Sequence, residues 1–213
     1  MNNQWYDDYW LPLLQLYLKK PAGVKPLYSR QLIDLSLELH IKPQTIYSRM
    51  FDLRQHDTPS LSRLWDTFAN KPQKLARAVK KQRLMRGFGN AQTFYDGVGT
   101  NETFESDFRP ISADCSLKPV MLILILDLYF RLTPVTMVTE TPEVTALARM
   151  MNMTPKIIVD VMMQYTAFDP CMKRPGPSSR AYTDACRDIW KRYGNDDPEQ
   201  LAATAAQMAA YFK

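Results

Sequence analysis

Apolar residues recur at helical spacing on both sides of a proline at position 43. Leu32, Leu35, Ser36 and Leu39 fall at i, i+3, i+4 and i+7 and line one helical face, and Ile46, Met50 and Leu53 line a face of a second helix. Between them Ile41-Lys42-Pro43 ends the first helix, because the residue before a proline avoids the α region. The same proline opens the second helix, since it suits a first turn. Ser36 is the small residue placed where two crossing helices come closest. The pattern predicts two short helices meeting at a tight corner.

The pattern occurs twice. A shift of 112 residues lays Pro155 on Pro43, Leu128-Tyr129 on Leu16-Tyr17, Leu147-Ala148 on Leu35-Ser36, and Ile158 and Met162 on Ile46 and Met50. After a longer loop in the second copy, Ile189-Trp190 meets Leu64-Trp65, and Pro198 and Leu201 meet Pro72 and Leu75. This predicts an all-α protein of two tandem, related helical domains: residues 1–86 with the repeat running from 10, a connector at 87–118, and a second repeat at 119–213.

The remaining elements follow from local signals. Trp5, Tyr9, Trp10, Leu13, Leu14, Tyr17 and Leu18 form an aromatic-rich helical face, with Pro12 in the first regular turn. Ser29 is placed to cap the next helix through its hydroxyl. His56 to Ser60 reads as a turn, followed by helices over Leu61–Ala69 and Gln73–Met85. The connector carries four of the seven glycines, a short helix is expected at Asn90–Tyr95, and Glu102, Phe104, Glu105, Asp107 and Phe108 form an acidic aromatic segment. That segment has two destinations: the basic face of the first repeat, or packing against the second. Thr141-Pro142-Glu143 and Thr154-Pro155 read as helix starts, and Pro170–Tyr182 reads as a basic loop.

The corner at 32–53 resembles the helix-turn-helix of bacterial transcription regulators, and the whole chain is similar to uncharacterised bacterial proteins. The resemblance implies that the second helix of the corner enters a DNA groove. With Ile46, Met50 and Leu53 inward, a turn of about 100° per residue points Gln44, Ser48 and Gln55 outward and puts Thr45 and Asp52 on a flank. Gln can read adenine, and Ser or Thr can hold a phosphate. Lys42 and Arg49 stand close by. Phe51 and its counterpart Met163 also point outward, which instead predicts something covering that face.

Charge separates the two halves. Residues 1–90 hold 15 Lys and Arg against 7 Asp and Glu, and residues 91–213 hold 12 against 15, within an overall net of +5. The first half therefore suits a polyanion. Lys74, Arg77 and Lys81 fall at i, i+3 and i+7 as a basic stripe, while its counterpart at Gln200–Phe212 has no charge. The nucleic-acid-binding candidates are thus Lys42, Gln44, Thr45, Ser48, Arg49, Lys74, Arg77 and Lys81. In the second copy the corresponding outward places hold Lys156, Asp160 and Ala167, and Asp160 repels phosphate.

Several classes are excluded. Cys115, Cys171 and Cys186 form no CxxC and are odd in number, which argues against a disulfide framework or a zinc site. Gly87-Phe88-Gly89 has Gln92 where a dinucleotide loop needs its third glycine, and no HExxH, GxSxG or P-loop occurs. No catalytic residue, metal or cofactor is expected. The apolar run Val120–Leu126 is too short to span a membrane, and no secretory signal is visible, so a cytoplasmic protein is expected. The partners are duplex DNA or, alternatively, another protein or a second copy, with the chain then acting as a helical interaction module.

Overall fold

Seven of the eleven α-helices formed among the described residues begin on proline. The first residue of a helix has no intrahelical acceptor for its N–H, so proline loses nothing there and brings a preset φ. The structure, a computed structural model, describes residues 5–85, 88, 103–113, 115–172 and 180–213. No β-strand forms among them, and the fold is all-α.

The chain divides into two units, Met1–Asn101 and Glu102–Lys213. The first holds α1 (Trp10–Leu18), α2 (Arg30–Leu39), α3 (Pro43–Gln55), α4 (Pro59–Phe68) and α5 (Pro72–Arg83). The second holds α6 (Thr103–Phe108), α7 (Pro119–Arg131), α8 (Pro142–Met151), α9 (Pro155–Tyr165), α10 (Thr183–Tyr193) and α11 (Pro198–Met208). The prolines place the starts of α4 and α5 at Pro59 and Pro72, a little before the apolar periodicity alone would.

In the first unit α1 packs on α2, α3 and α5. Leu13 and Leu14 are fully buried in one core with Leu32, Leu39, Ile46, Met50, Leu53, Leu75 and Val79. Ser29 does precede α2, but its hydroxyl makes no capping bond and is buried without a partner. Its carbonyl instead accepts the amides of Leu32 and Ile33, both at 3.0 Å. Thr58 is the residue whose side chain caps, taking the Leu61 amide at 3.3 Å at the head of α4.

The corner after α2 turns through a left-handed residue, His40, at φ 54. Ile41 N–H reaches back to the Ser36 carbonyl at 3.1 Å. The buried Ser36 hydroxyl donates to the Ile41 carbonyl, which ties the corner from both sides. After α8 the same turn is made by Asn152 at φ 55, with Met153 N–H on the Ala148 carbonyl at 2.9 Å. Asn and His are among the residues that tolerate this conformation best.

In the second unit α7 packs on α6, α8, α9, α10 and α11. It is buried nearly all round, at Val120, Leu122 to Leu126, Leu128 and Tyr129, which is why its sequence is apolar without a polar face. α6 belongs to this unit. Asp107 is 3 % exposed and takes a two-pronged bond from Arg192 at 2.7 and 2.8 Å, and the Phe108 ring lies 5.1 Å from Tyr211. The acidic segment left open between two destinations therefore packs in the second unit, and residues 103–118 are part of it rather than a bare connector. The helix expected at 90–95, and residues 173–179 of the basic loop, lie outside the described residues.

Candidate nucleic-acid interface

α3 owes its orientation to its inward residues. Ile46, Met50 and Leu53 are fully buried, and Pro43 is buried at its head. The opposite side then carries Gln44, Ser48, Phe51 and Gln55, all exposed, as one stripe at i, i+4, i+7 and i+11. Gln44 Nε2 donates to the Tyr28 hydroxyl at 2.9 Å, and Ser48 Oγ donates to the Thr45 carbonyl at 2.8 Å. Lys42 is exposed at the extended residue before α3, and Thr45 is half-buried. Phe51 is 38 % exposed, with its ring edge-on to Tyr47 at 5.2 Å.

Arg49 occupies a different environment from its neighbours. It lies roughly 140° round the helix from Gln44, at the rim of the inward face. Its guanidinium stands 5.7 Å from the Trp5 ring and 5.9 Å from Trp10, and it pairs with Asp52 at 2.9 Å. Ring quadrupoles and a carboxylate both draw it toward the start of α1. Its charge is balanced there, whereas the outward stripe carries none.

Lys74, Arg77 and Lys81 lie on α5, which packs on α1 and α4, whereas α3 packs on α1 and α2. All three are exposed, as are Lys71 and Lys80. α5 has no carboxylate of its own, and these five cations form no ion pair among the described residues. Arg83 alone is neutralised, by Glu38 of α2 at 2.5 and 2.8 Å. The Lys74 ammonium stands 5.2 Å from the Phe68 ring. An open depression of about 490 Å³ is lined by Lys71, Pro72, Gln73, Lys74 and Arg77. Crowded cations raise the local potential and attract anions.

The candidates thus fall into two groups: Lys42, Gln44, Thr45 and Ser48 on or beside the outer face of α3, and Lys74, Arg77 and Lys81 on α5. Lys71 joins the second group, and its position before Pro72 in a run free of acids was the available signal. Tyr28, which holds Gln44, had none, because the two are 16 residues apart and joined only by folding. On α9 the matching places carry Lys156, exposed, and Asp160, half-buried with Arg180 3.8 Å away.

Other chemistry is sparse among the described residues. No group of three His, Cys, Asp or Glu is disposed to hold a metal. No helix is long and apolar enough to cross a membrane. Lys25 is the one lysine buried among the described residues, its ammonium held by the Lys19 and Pro21 carbonyls, and burial and then the Lys19 charge lower its pKa. Fold and site together define an all-α protein with an exposed helical corner and a cationic helix in one unit. Compared with protein-family models, curated proteins and solved structures, the chain matches none.

Proposed function

We propose that the chain is a cytoplasmic DNA-binding protein of the transcription-regulator kind, acting by binding rather than catalysis, and that its first unit contacts duplex DNA. The observation that carries this is the outer face of α3. A helix following a tight left-handed corner leaves Gln44, Ser48 and Gln55 open to solvent, in the same unit as Lys74, Arg77 and Lys81 of α5, which form no ion pair among the described residues. Gln supplies base-edge hydrogen bonds, and Lys42 with the α5 cations supplies phosphate contacts.

We further infer an internal duplication, with the second unit a degenerate copy used for packing. Supporting it, α2 and α3 start 112 residues before α8 and α9, and the corners share one left-handed turn. Tyr17 also meets Trp65 at 5.9 Å and 73°, and Tyr129 meets Trp190 at 6.1 Å and 75°. Asp160 on the outer face of α9 opposes phosphate, so binding is assigned to the first unit. Amide hydrogen exchange of the full chain with and without duplex DNA tests this assignment. Protection should appear in α3 and α5, and protection confined to α9 and α11 would refute it.

A second reading, a helical protein-interaction module, is favoured by the exposure of Phe51 on the same stripe. A partner or second copy would cover Phe51 and Tyr47. Sedimentation of wild type and Phe51→Ala tests the self-association form of that reading. A concentration-dependent dimer lost on Phe51→Ala would support it.

A further inference from the structure

The exposed stripe of α3 is uncharged, and that limits which bases it can read. Guanine offers the major groove two acceptors, N7 and O6, and is met by the donors of arginine or lysine. Lys42 precedes the helix and is not on its stripe. Arg49 is held at the inward rim by Asp52, Trp5 and Trp10, and Arg54 lies off the stripe in the last turn. Cytosine offers a donor that a carboxylate accepts, but Asp52 is on the flank and paired with Arg49. A carboxamide offers one donor and one acceptor, which complement N7 and N6–H of adenine. The remaining large side chain on the stripe is an aromatic, and thymine is the one base with a methyl group in the major groove.

We propose that α3 reads A·T pairs in the major groove, with Gln44 on an adenine edge, Phe51 on a thymine methyl, and Tyr28 orienting the Gln44 amide. The proposal rests on the DNA-binding reading and adds its base preference. Tyr28 takes one of the two amide hydrogens of Gln44 at 2.9 Å. The other N–H and the amide oxygen stay available, the pair that adenine requires. Tyr47 supports the Phe51 ring edge-on at 5.2 Å and restricts where it can swing. Gln44 and Phe51 are seven residues apart, a span of roughly 10 Å along the helix. At about 3.4 Å per base pair this places the two contacts about three steps apart on the duplex. The net positive charge of residues 1–90 complements this occupant.

The test is a titration of the full chain with four duplexes of equal length: alternating A·T, the same with dU for dT, the same with 7-deazaadenine for adenine, and G·C. The dU and 7-deaza arms alter only major-groove atoms, so a preference for a narrow minor groove would not respond to them. They also carry no risk to the protein fold. Wild type should prefer A·T over G·C by about tenfold and lose about fourfold on replacement of dT by dU. Phe51→Ala, or the milder Phe51→Leu, should remove or shrink the dT/dU difference, and Gln44→Ala should remove the adenine/7-deazaadenine difference. Tyr28→Phe should lower the A·T to G·C ratio with the salt dependence unchanged, which a merely structural role for Tyr28 would not produce. Equal affinity for all four duplexes, with steep salt dependence kept, would overturn the base preference and leave the DNA-binding reading standing. Absence of binding to every duplex at low salt would overturn both.

Discussion

α5 and α11, which the proposed duplication pairs, differ most on their outer faces. Inward, Leu75 and Leu201 are both buried, as are Val79 and Ala205, while a buried Gln82 stands where the other helix has Met208. Their outer faces diverge, with Lys74, Arg77 and Lys81 in one and Gln200, Ala203 and Gln207 in the other, all exposed. On that duplication an uncharged outer face suits this helix, so the fold does not require the cations of α5. α3 and α9 show the same division. Ile46 and Met50 match Ile158 and Met162, all fully buried, while Gln44 and Ser48 face solvent where the other helix has Lys156 and Asp160. The inward residues specify the corner, and the outward ones are free to carry a function.

The largest effect that sharpens this comparison lies where the second unit has an addition. Arg192→Ala leaves the buried Asp107 carboxylate unpaired and should cost about 3–5 kcal/mol in chemical unfolding. The position matching it in α4 is Thr67, whose hydroxyl only returns to the Arg63 carbonyl at 2.7 Å, and Thr67→Ala should be nearly neutral. Equal losses at the two sites would contradict the account of α6 as anchored in the second unit.

The inward faces should respond alike. Met50→Ala and Met162→Ala each remove a fully buried side chain and should each cost about 2–5 kcal/mol. A tolerant Met50 would break the equivalence of α3 and α9. One residue further on, the partly exposed Phe51 should be less sensitive, Phe51→Ala costing about 1–2 kcal/mol for its ring packing on Tyr47 and the surface it covers. A loss as large as that of Met50→Ala would mean that the stripe is covered in solution.

Alkaline pH gives the mildest contrast. Burial pushes the Cys186 thiol from an ordinary 9.0 to about 12. It also raises the Tyr165 and Tyr129 phenols above 10.0, Tyr129 being raised further by its bond to Asp169. A pKa raised by folding gives stability that is full below the unfolded value and declines as pH rises, here from about 9 upward. In the first unit Tyr9 acts in the same sense, but the lowered pKa of Lys25 acts oppositely, adding stability as pH climbs toward 10.5. Methyl resonances followed by NMR should show the second unit loosening first, and the reverse order would contradict this balance.

Much of this architecture was legible because it is local. A 3.6-residue period marks α2, α3, α8 and α9, and prolines mark the starts. The tight corner follows from a helix that must stop before Pro43, while the left-handed residue that makes it, His40, is seen only in the folded chain. Interactions between distant segments left weaker traces. Arg49 is grouped by sequence with the outward residues, although helical spacing sets it roughly 140° from Gln44, and the pull of Trp5 and Trp10 became visible only once α1 lay against α3. The acidic segment around Asp107 suited either the basic face of the first repeat or packing against the second until Arg192 was placed beside it. Ser29 had the right type and position for a cap, yet its hydroxyl turned into the protein.

The central claim, that the first unit holds duplex DNA through phosphate contacts on α5, is tested most directly by affinity against salt. Full-length wild type and the Lys74→Ala/Arg77→Ala/Lys81→Ala variant are titrated with one duplex over a range of salt concentrations. Wild type should show log affinity falling linearly with log salt, and the variant's slope should be shallower by about 0.9 for each phosphate that is no longer neutralised. Binding that ignores salt, or a variant with the wild-type slope, would contradict the claim.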